Sequence, residues 1–368
     1  LKLTFTRRAA FVLCLASSAA LGACSNNGGG PAAPVPTPSA SPTAKPTATP
    51  TPKPTPTPTP TPAPIAYTAI GASDAVGYGA SIPCANPPVV ANPGCLNLTG
   101  TGYVPDIARA LKAGGAVLTL DDLGISGAVL GPDIRNVGNL YGSVTGTTPC
   151  QPRTGSDLIP GDFITNELPN VPANSTLVTV FAGGNDTIAI ANAAVCLTLG
   201  GATTAQVAAF VATEVTAFGA DLEELLAAVK AKTAGHAKIV IADLPNFANI
   251  PFATGGLPGL TPQPATVRDL LQEISVAGFD QVDYQLAATT LGVPTVDLLC
   301  NPDSYLPANF YTDGFHPDDA GYALFAKLYE AQIAAAKPTI PSFTCSETKV
   351  STRPASNAVL RPLPNLEP

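Results

Sequence analysis

The sequence predicts an α/β fold, a single three-layer α/β/α sandwich with a parallel five-stranded sheet, between about Ile65 and Cys345. Three observations predict it. Short apolar, β-branched runs alternate with longer segments of helical spacing, which is the pattern of strand-crossover-strand units. Each strand-like run ends in a turn of Gly, Ser, Asn or Asp. With 368 residues of which 45% are hydrophobic and 12% charged, the chain can bury a large single core.

The first strand lies around Thr68-Ala69-Ile70, and Gly71 and Gly77 bracket a tight turn with Ser73 at its tip. In a parallel sheet the carboxyl ends of strands are where ligands bind, so Ser73 is placed for chemistry; the plainer reading makes Ser73 or Asp74 a helix N-cap. Ile107 and Leu111 among alanines give a helix over Tyr103–Ala113, and Ala116–Leu120 reads as the second strand, leading to Ile125-Ser126-Gly127. From about Gly131 to Asn174 the many Gly, Pro and Thr residues predict a long loop partly closed by Cys150. Ser175–Ala182 is apolar and β-branched enough for a central strand and ends in Gly183-Gly184-Asn185-Asp186. Val207, Val211, Val215, Phe218, Leu222, Leu225 and Val229 recur every three or four residues, the face of one long helix. Lys238–Ala242 forms the fourth strand, about Thr266 to Leu291 a helical stretch, Pro294–Leu298 the fifth strand, and Asp318–Ala335 a closing helix.

Four polar turns thus fall at one edge of the expected sheet: Ser73, Ser126-Gly127, Gly183-Gly184-Asn185-Asp186 and Asp313-Gly314-Phe315-His316-Pro317. Two residues separate Asp313 from His316, so a bend at Gly314 lets the carboxylate hold one ring nitrogen while the other takes a serine proton. In block order and spacing the domain resembles the SGNH, or GDSL, hydrolases, named for a catalytic Ser, Gly, Asn and His. That resemblance implies a flavodoxin-like SGNH fold and a serine esterase or lipase with Ser73 as nucleophile, His316 as base and Asp313 orienting it. It further implies an oxyanion hole made by the Ser73 and Gly127 amides and the Asn185 side chain. One position departs from the family: its first block usually reads Gly-Asp-Ser-Leu, whereas here it is Gly71-Ala72-Ser73-Asp74, without the acid before the serine. Asp74 stands on the other side and would point differently. The non-enzymatic alternative is a weak or inactive ligand-binding module.

Other chemistries fit less well. Ala75 occupies the position where an α/β-hydrolase elbow needs glycine, and no dinucleotide or Walker pattern follows the first strand. Two histidines do not supply a multi-histidine metal site, His236 reads as a surface residue, and we expect no cofactor. A formal charge of -8 gives no footprint for nucleic acid. The expected partner is an ester of a lipid or an acylated glycan.

The residues outside this domain carry the address. Residues 1–23 combine Lys2, Arg7 and Arg8 with an apolar run too short to span a bilayer, as in a signal peptide. Leu21-Gly22-Ala23-Cys24 resembles a bacterial lipobox, which implies lipidation at Cys24, membrane attachment through that anchor, and an exported protein of the cell envelope; a plain secretory signal is the alternative. Between Pro31 and Pro64 there are 14 prolines in 34 residues, so 24–64 is a polyproline-rich linker of roughly 100 Å reach at most. The domain then covers 65–345, and 346–368 is a Pro-rich tail. Six cysteines stay with the exported part, allowing 15 pairings; we expect Cys84 with Cys95, Cys150 with Cys196, and Cys300 with Cys345.

Overall fold

The computed structural model describes residues 64–84, 98–142 and 150–349. The expected signal peptide, Cys24, nearly all of the linker, Cys95 and the tail beyond 349 lie outside the described residues.

Five parallel strands build one sheet: β1 (Ile65–Gly71), β2 (Leu118–Asp122), β3 (Leu177–Phe181), β4 (Lys238–Ala242) and β5 (Thr295–Val296), in the order β2-β1-β3-β4-β5. The chain leaves β1 for β2 on one side, then crosses back to place β3 on the other. Ligands bind outside the carboxyl ends of strands at such a reversal. The register pairs Gly71 with Phe181, so the turns that follow β1 and β3 emerge side by side. All five residues of β3 are buried, as a strand covered on both faces must be.

Helices α1 (Tyr103–Ala113) and α8 (Asp319–Ala334) pack together on one face. Their contact is aromatic: the Tyr103 ring stacks on Tyr329 at 5.3 Å, and Phe325 meets Phe181 of the sheet edge-on. The other layer contains α2 (Pro132–Tyr141), α3 (Gly184–Leu199), α4 (Thr204–Lys232), the single turn α5 (Pro251–Thr254), and α6 (Ala265–Gln272), which runs through a wider π-helical stretch into α7 (Gln285–Thr289). The predicted spacing buries Val211, Val215, Phe218, Leu222, Leu225 and Val229 on one face of α4, and Phe218 stacks on Phe279 at 3.7 Å. Thr203 opens α4 with a capping box: its hydroxyl accepts from the Gln206 amide while the Gln206 side chain accepts from the Thr203 amide.

Four expectations need correction or trimming. The long loop predicted over Gly131–Asn174 contains α2, which starts on Pro132 at the one helical position where a missing N–H costs nothing. A Cβ on Gly138 of that helix would lie 2.4 Å from Ile159, so glycine there permits close packing rather than marking a turn. Helix α3 was absent from the periodic pattern because Ile188, Ala189, Ile190, Ala191, Ala193 and Ala194 are all buried, leaving no polar face to alternate with. Strand β2 lies two residues later than expected, since Val117 is 65% exposed and pairing begins at Leu118; β5 is only two residues long.

Cys150 is bonded to Cys196 and Cys300 to Cys345, as expected. Cys84 is also disulfide-bonded; its expected partner, Cys95, falls outside the described residues.

Candidate active site

Strand β1 stops at Gly71, and the chain turns so that Tyr78 N donates to Ser73 O at 2.9 Å while Ala75 N and Val76 N donate to Ala72 O. Ser73 is buried to 3% exposure, and its Oγ lies 2.9 Å from His316 Nε2. His316 Nδ1 in turn lies 2.7 Å from Asp313 Oδ2. The tautomer follows from the partners: an ionised carboxylate only accepts, so Nδ1 carries the hydrogen and Nε2 presents its lone pair to the serine hydroxyl. Burial works to raise the Asp313 carboxyl, but the hydrogen bond and charge of His316 and the amides of Phe315 and His316 hold it below the usual carboxylate value.

The turn carrying the imidazole is largely self-contained. Asp313 Oδ1 accepts from Phe315 N at 2.9 Å and His316 N at 3.0 Å, Gly314 N donates to Tyr311 O, and Tyr311 N donates to His316 O. Gly314 has φ +70°, and a Cβ there would lie 2.5 Å from Leu260 and 2.7 Å from Phe252 N, so only glycine makes the bend. The Tyr78 ring, 4.6 Å from the imidazole, packs His316 from the serine side.

Opposite, Gly183 caps α3 with φ +100°, where a Cβ would strike Leu244 at 2.8 Å. Asn185 and Asp186 therefore begin the helix at the sheet edge, and both grip the loop that carries Gly127. Asn185 Nδ2 donates to Ala128 O at 2.8 Å, its second hydrogen being uncommitted among the described residues, and Leu130 N donates to Asp186 Oδ1 at 2.9 Å. Gly127 itself has φ +80°, and among the described residues neither its amide nor that of Ser73 donates a hydrogen bond. A cavity of about 260 Å³ is lined by Ala72, Asp74, Ala128, Gly184, Asn185 and Phe315, joining the turns after β1, β2 and β3 to the histidine turn. Four sequence-predicted stretches thus meet. His236 stays exposed at the end of α4.

One residue escaped the sequence reading. Glu167, 96 positions from Gly71, is fully buried, and its Oε2 accepts from Gly71 N at 2.9 Å. It brings a carboxyl to the base of the Ser73 turn, where Ala72 supplies none. Burial drives the Glu167 carboxyl well above its ordinary value, and burial likewise raises Asp122 and Asp186 to about 7. No spacing or repeat marks Glu167 in the sequence; the only hint is an acid in the apolar setting of Phe163 and Leu168. Asp74, which follows the nucleophile candidate, lines the cavity and is raised by burial, partly offset by the charge of His316. Among the described residues no three His, Cys, Asp or Glu side chains are grouped to hold a metal ion.

A comparison with curated proteins finds no match. Among solved structures, the chain is similar to an extracellular lipase from Streptomyces rimosus (15% identity, TM-score 0.43), covering 73% of this chain and 99% of that one. It is also similar to a phospholipase A1 from Streptomyces albidoflavus NA297 (17% identity, TM-score 0.39, 73% and 99% covered). A third is the psychrotrophic esterase EstA from Pseudoalteromonas sp. (13% identity, TM-score 0.36, 73% and 96% covered). The model of the GDSL-like lipase/acylhydrolase family matches residues 69–324, from within β1 to within α8. That span takes in every turn described above and well over half of the chain, and on it the protein belongs to the GDSL-like lipase/acylhydrolase family, hydrolases acting on esters.

Proposed function

We propose that the protein is a serine esterase of carboxylic esters, lipid or acyl-glycan, working through Ser73, His316 and Asp313. Ser73 Oγ attacks the ester carbonyl carbon as its proton passes to His316 Nε2, and Asp313 holds the imidazolium that forms. The carbonyl oxygen becomes an oxyanion that takes hydrogen bonds from the Ser73 and Gly127 amides and the free Asn185 N–H. His316 then gives its proton to the departing alkoxide, leaving an acyl group on Ser73. Water, deprotonated by the same nitrogen, releases the acid and restores the serine.

The observation that carries this reading is the unbroken relay of two short hydrogen bonds, 2.9 Å and 2.7 Å, from hydroxyl to imidazole to carboxylate. The two uncommitted amides and the half-committed Asn185 amide support the oxyanion assignment. Turnover of short aryl esters by protein lacking residues 1–64 tests it: Ser73→Ala and His316→Ala should each lower kcat by at least about 10⁴-fold, with the double variant little worse than either. A folded Ser73→Ala protein with wild-type rates would refute the nucleophile assignment.

We also propose that the chain is exported and held on a membrane of the bacterial cell envelope by lipid on Cys24, with 24–64 as spacer. Support is the lipobox-like Leu21-Gly22-Ala23-Cys24 after a short apolar run. Cys24→Ser should release the full chain from the membrane fraction; unchanged mass and fractionation would remove this proposal.

A further inference from the structure

A second cavity, about 470 Å³, lies against the first and shares Asp74, Phe181, Gly184 and Phe315 with it. Its wall is aromatic, with Phe181, Phe247, Phe310, Phe315 and Phe325 lining it. Phe247 stacks on Phe315 at 5.3 Å, and Phe181 meets Phe325 edge-on at 5.5 Å, so the rings brace one another. The polar side chains in this wall are few, and the charged ones are both acidic: the carboxyls of Asp74 and Asp303, beside the hydroxyl of Ser304 and the amide of Asn309. Among the described residues no Lys, Arg or His lines it.

Two of these polar groups lack what their surroundings demand. Ser304 is only 4% exposed, and its Oγ has no hydrogen-bond partner among the described residues. The Asp74 carboxyl is desolvated enough for burial to raise it, and no Lys or Arg pairs with it among the described residues. An acyl chain would cover the rings yet put nothing polar beside the Asp74 carboxyl, and it would leave the Ser304 hydroxyl unpaired. An anionic group would meet two carboxyls. A hydroxyl-rich sugar would find only four polar side chains among five phenylalanines, one of them, Asn309, already donating to Asp303 O.

A small apolar cation answers the aromatic wall and the carboxyls, and one that keeps an N–H can also donate to Ser304 Oγ. Its charge, spread over methyl and methylene groups, is weakly hydrated, lies well against ring faces and is drawn to carboxylates and oxygen lone pairs. We propose that this cavity receives an alkylated ammonium group carried by the ester substrate, with the phenylalanines as its cage and Asp74 and Asp303 as its counter-charges. The proposal rests on Ser73 as nucleophile, because Asp74, which lines the cavity, is the next residue in the same turn. It narrows the ester class to amino-alcohol or amino-acyl esters.

Two probes of nearly equal shape differ by one charge: acetylcholine and 3,3-dimethylbutyl acetate. The cationic ester should have at least about tenfold higher kcat/KM, mainly through KM, and the preference should shrink as salt rises. Tetramethylammonium should inhibit p-nitrophenyl acetate hydrolysis competitively. Phe247→Leu and Asp303→Asn, checked for folding by their melting temperatures, should each reduce the preference about threefold or more. Equal or reversed preference, with p-nitrophenyl acetate still turned over, overturns the cation site and leaves the esterase reading standing. If no ester is turned over, the nucleophile reading fails, and calorimetric titration of the folded protein with tetramethylammonium decides the cavity: saturable binding weakened by Phe247→Leu supports the cage, and no heat overturns it.

Discussion

The two turns that face each other across the site are built in opposite ways. The histidine turn is assembled from its own residues: Asp313 holds both the ring and two amides of the turn it starts, and Gly314 makes the bend. The serine turn borrows its support. Its base is held by Glu167 from 96 residues away, and Tyr322, 244 residues on, donates to Tyr78 O at 2.6 Å at its far end. The difference teaches that one half of the proposed catalytic pair can be written locally while the other is defined only by tertiary structure.

Four experiments would break or sharpen that contrast. The largest effect belongs to the local turn: Asp313→Asn should drop kcat by about 10⁴-fold with little change in KM, because the amide reverses the hydrogen bond that sets the tautomer. A loss under tenfold would show that the turn orients His316 without its carboxylate. Next, Asn185→Ala removes one proposed oxyanion donor and should cost about 100- to 1000-fold, again mainly in kcat. Equal loss in kcat and in substrate binding would point to a damaged loop at Ala128 instead.

On the borrowed side, Glu167→Gln keeps an oxygen for Gly71 N and should stay within about threefold of wild type. Glu167→Ala leaves that amide unpaired in the core and should cost about 1–3 kcal/mol of stability, measured by urea unfolding, together with a fall in kcat. If Gln is as damaging as Ala, Glu167 acts through its charge or proton and not as an acceptor. The smallest effect is in pH. Asp122 and Asp186, raised to about 7, keep protons in the folded chain that the unfolded chain has released, so stability should decline as pH rises from about 4 through 7. Asp313, lowered, contributes the reverse, a stability lost only as pH falls through its depressed value. The melting temperature should therefore be higher at pH 5 than at pH 8, by about a few degrees, and Asp186→Asn should flatten the slope.

The same contrast explains what could be read beforehand. Lys238–Ala242 and Tyr103–Ala113 match their expected bounds because a buried β-branched run and an amphipathic helix each announce themselves within one window. The Asp313–His316 pair was legible for the same reason, its partners being three residues apart. Helix α3 lacked a polar face, α2 was masked by Pro132 and Gly138, and Glu167 gained its meaning only when the fold brought it under Gly71. The pairing of Cys150 with Cys196 was among many possibilities until α3 existed to carry Cys196.

The hydrogen bond between Ser73 and His316 joins atoms 243 residues apart in sequence. Closing so long a loop is entropically costly and is accomplished only through the packing of the elements between them. During synthesis, therefore, Ser73, the proposed nucleophile, is made early and waits while nearly the whole domain follows it. His316, the proposed base, arrives with the last strand-to-helix connection, and α8, whose Tyr322 also braces the serine turn, must dock before either is in place. On the proposed mechanism, activity is thus a report on completion: a nascent or truncated chain carries the serine but not the group that would take its proton.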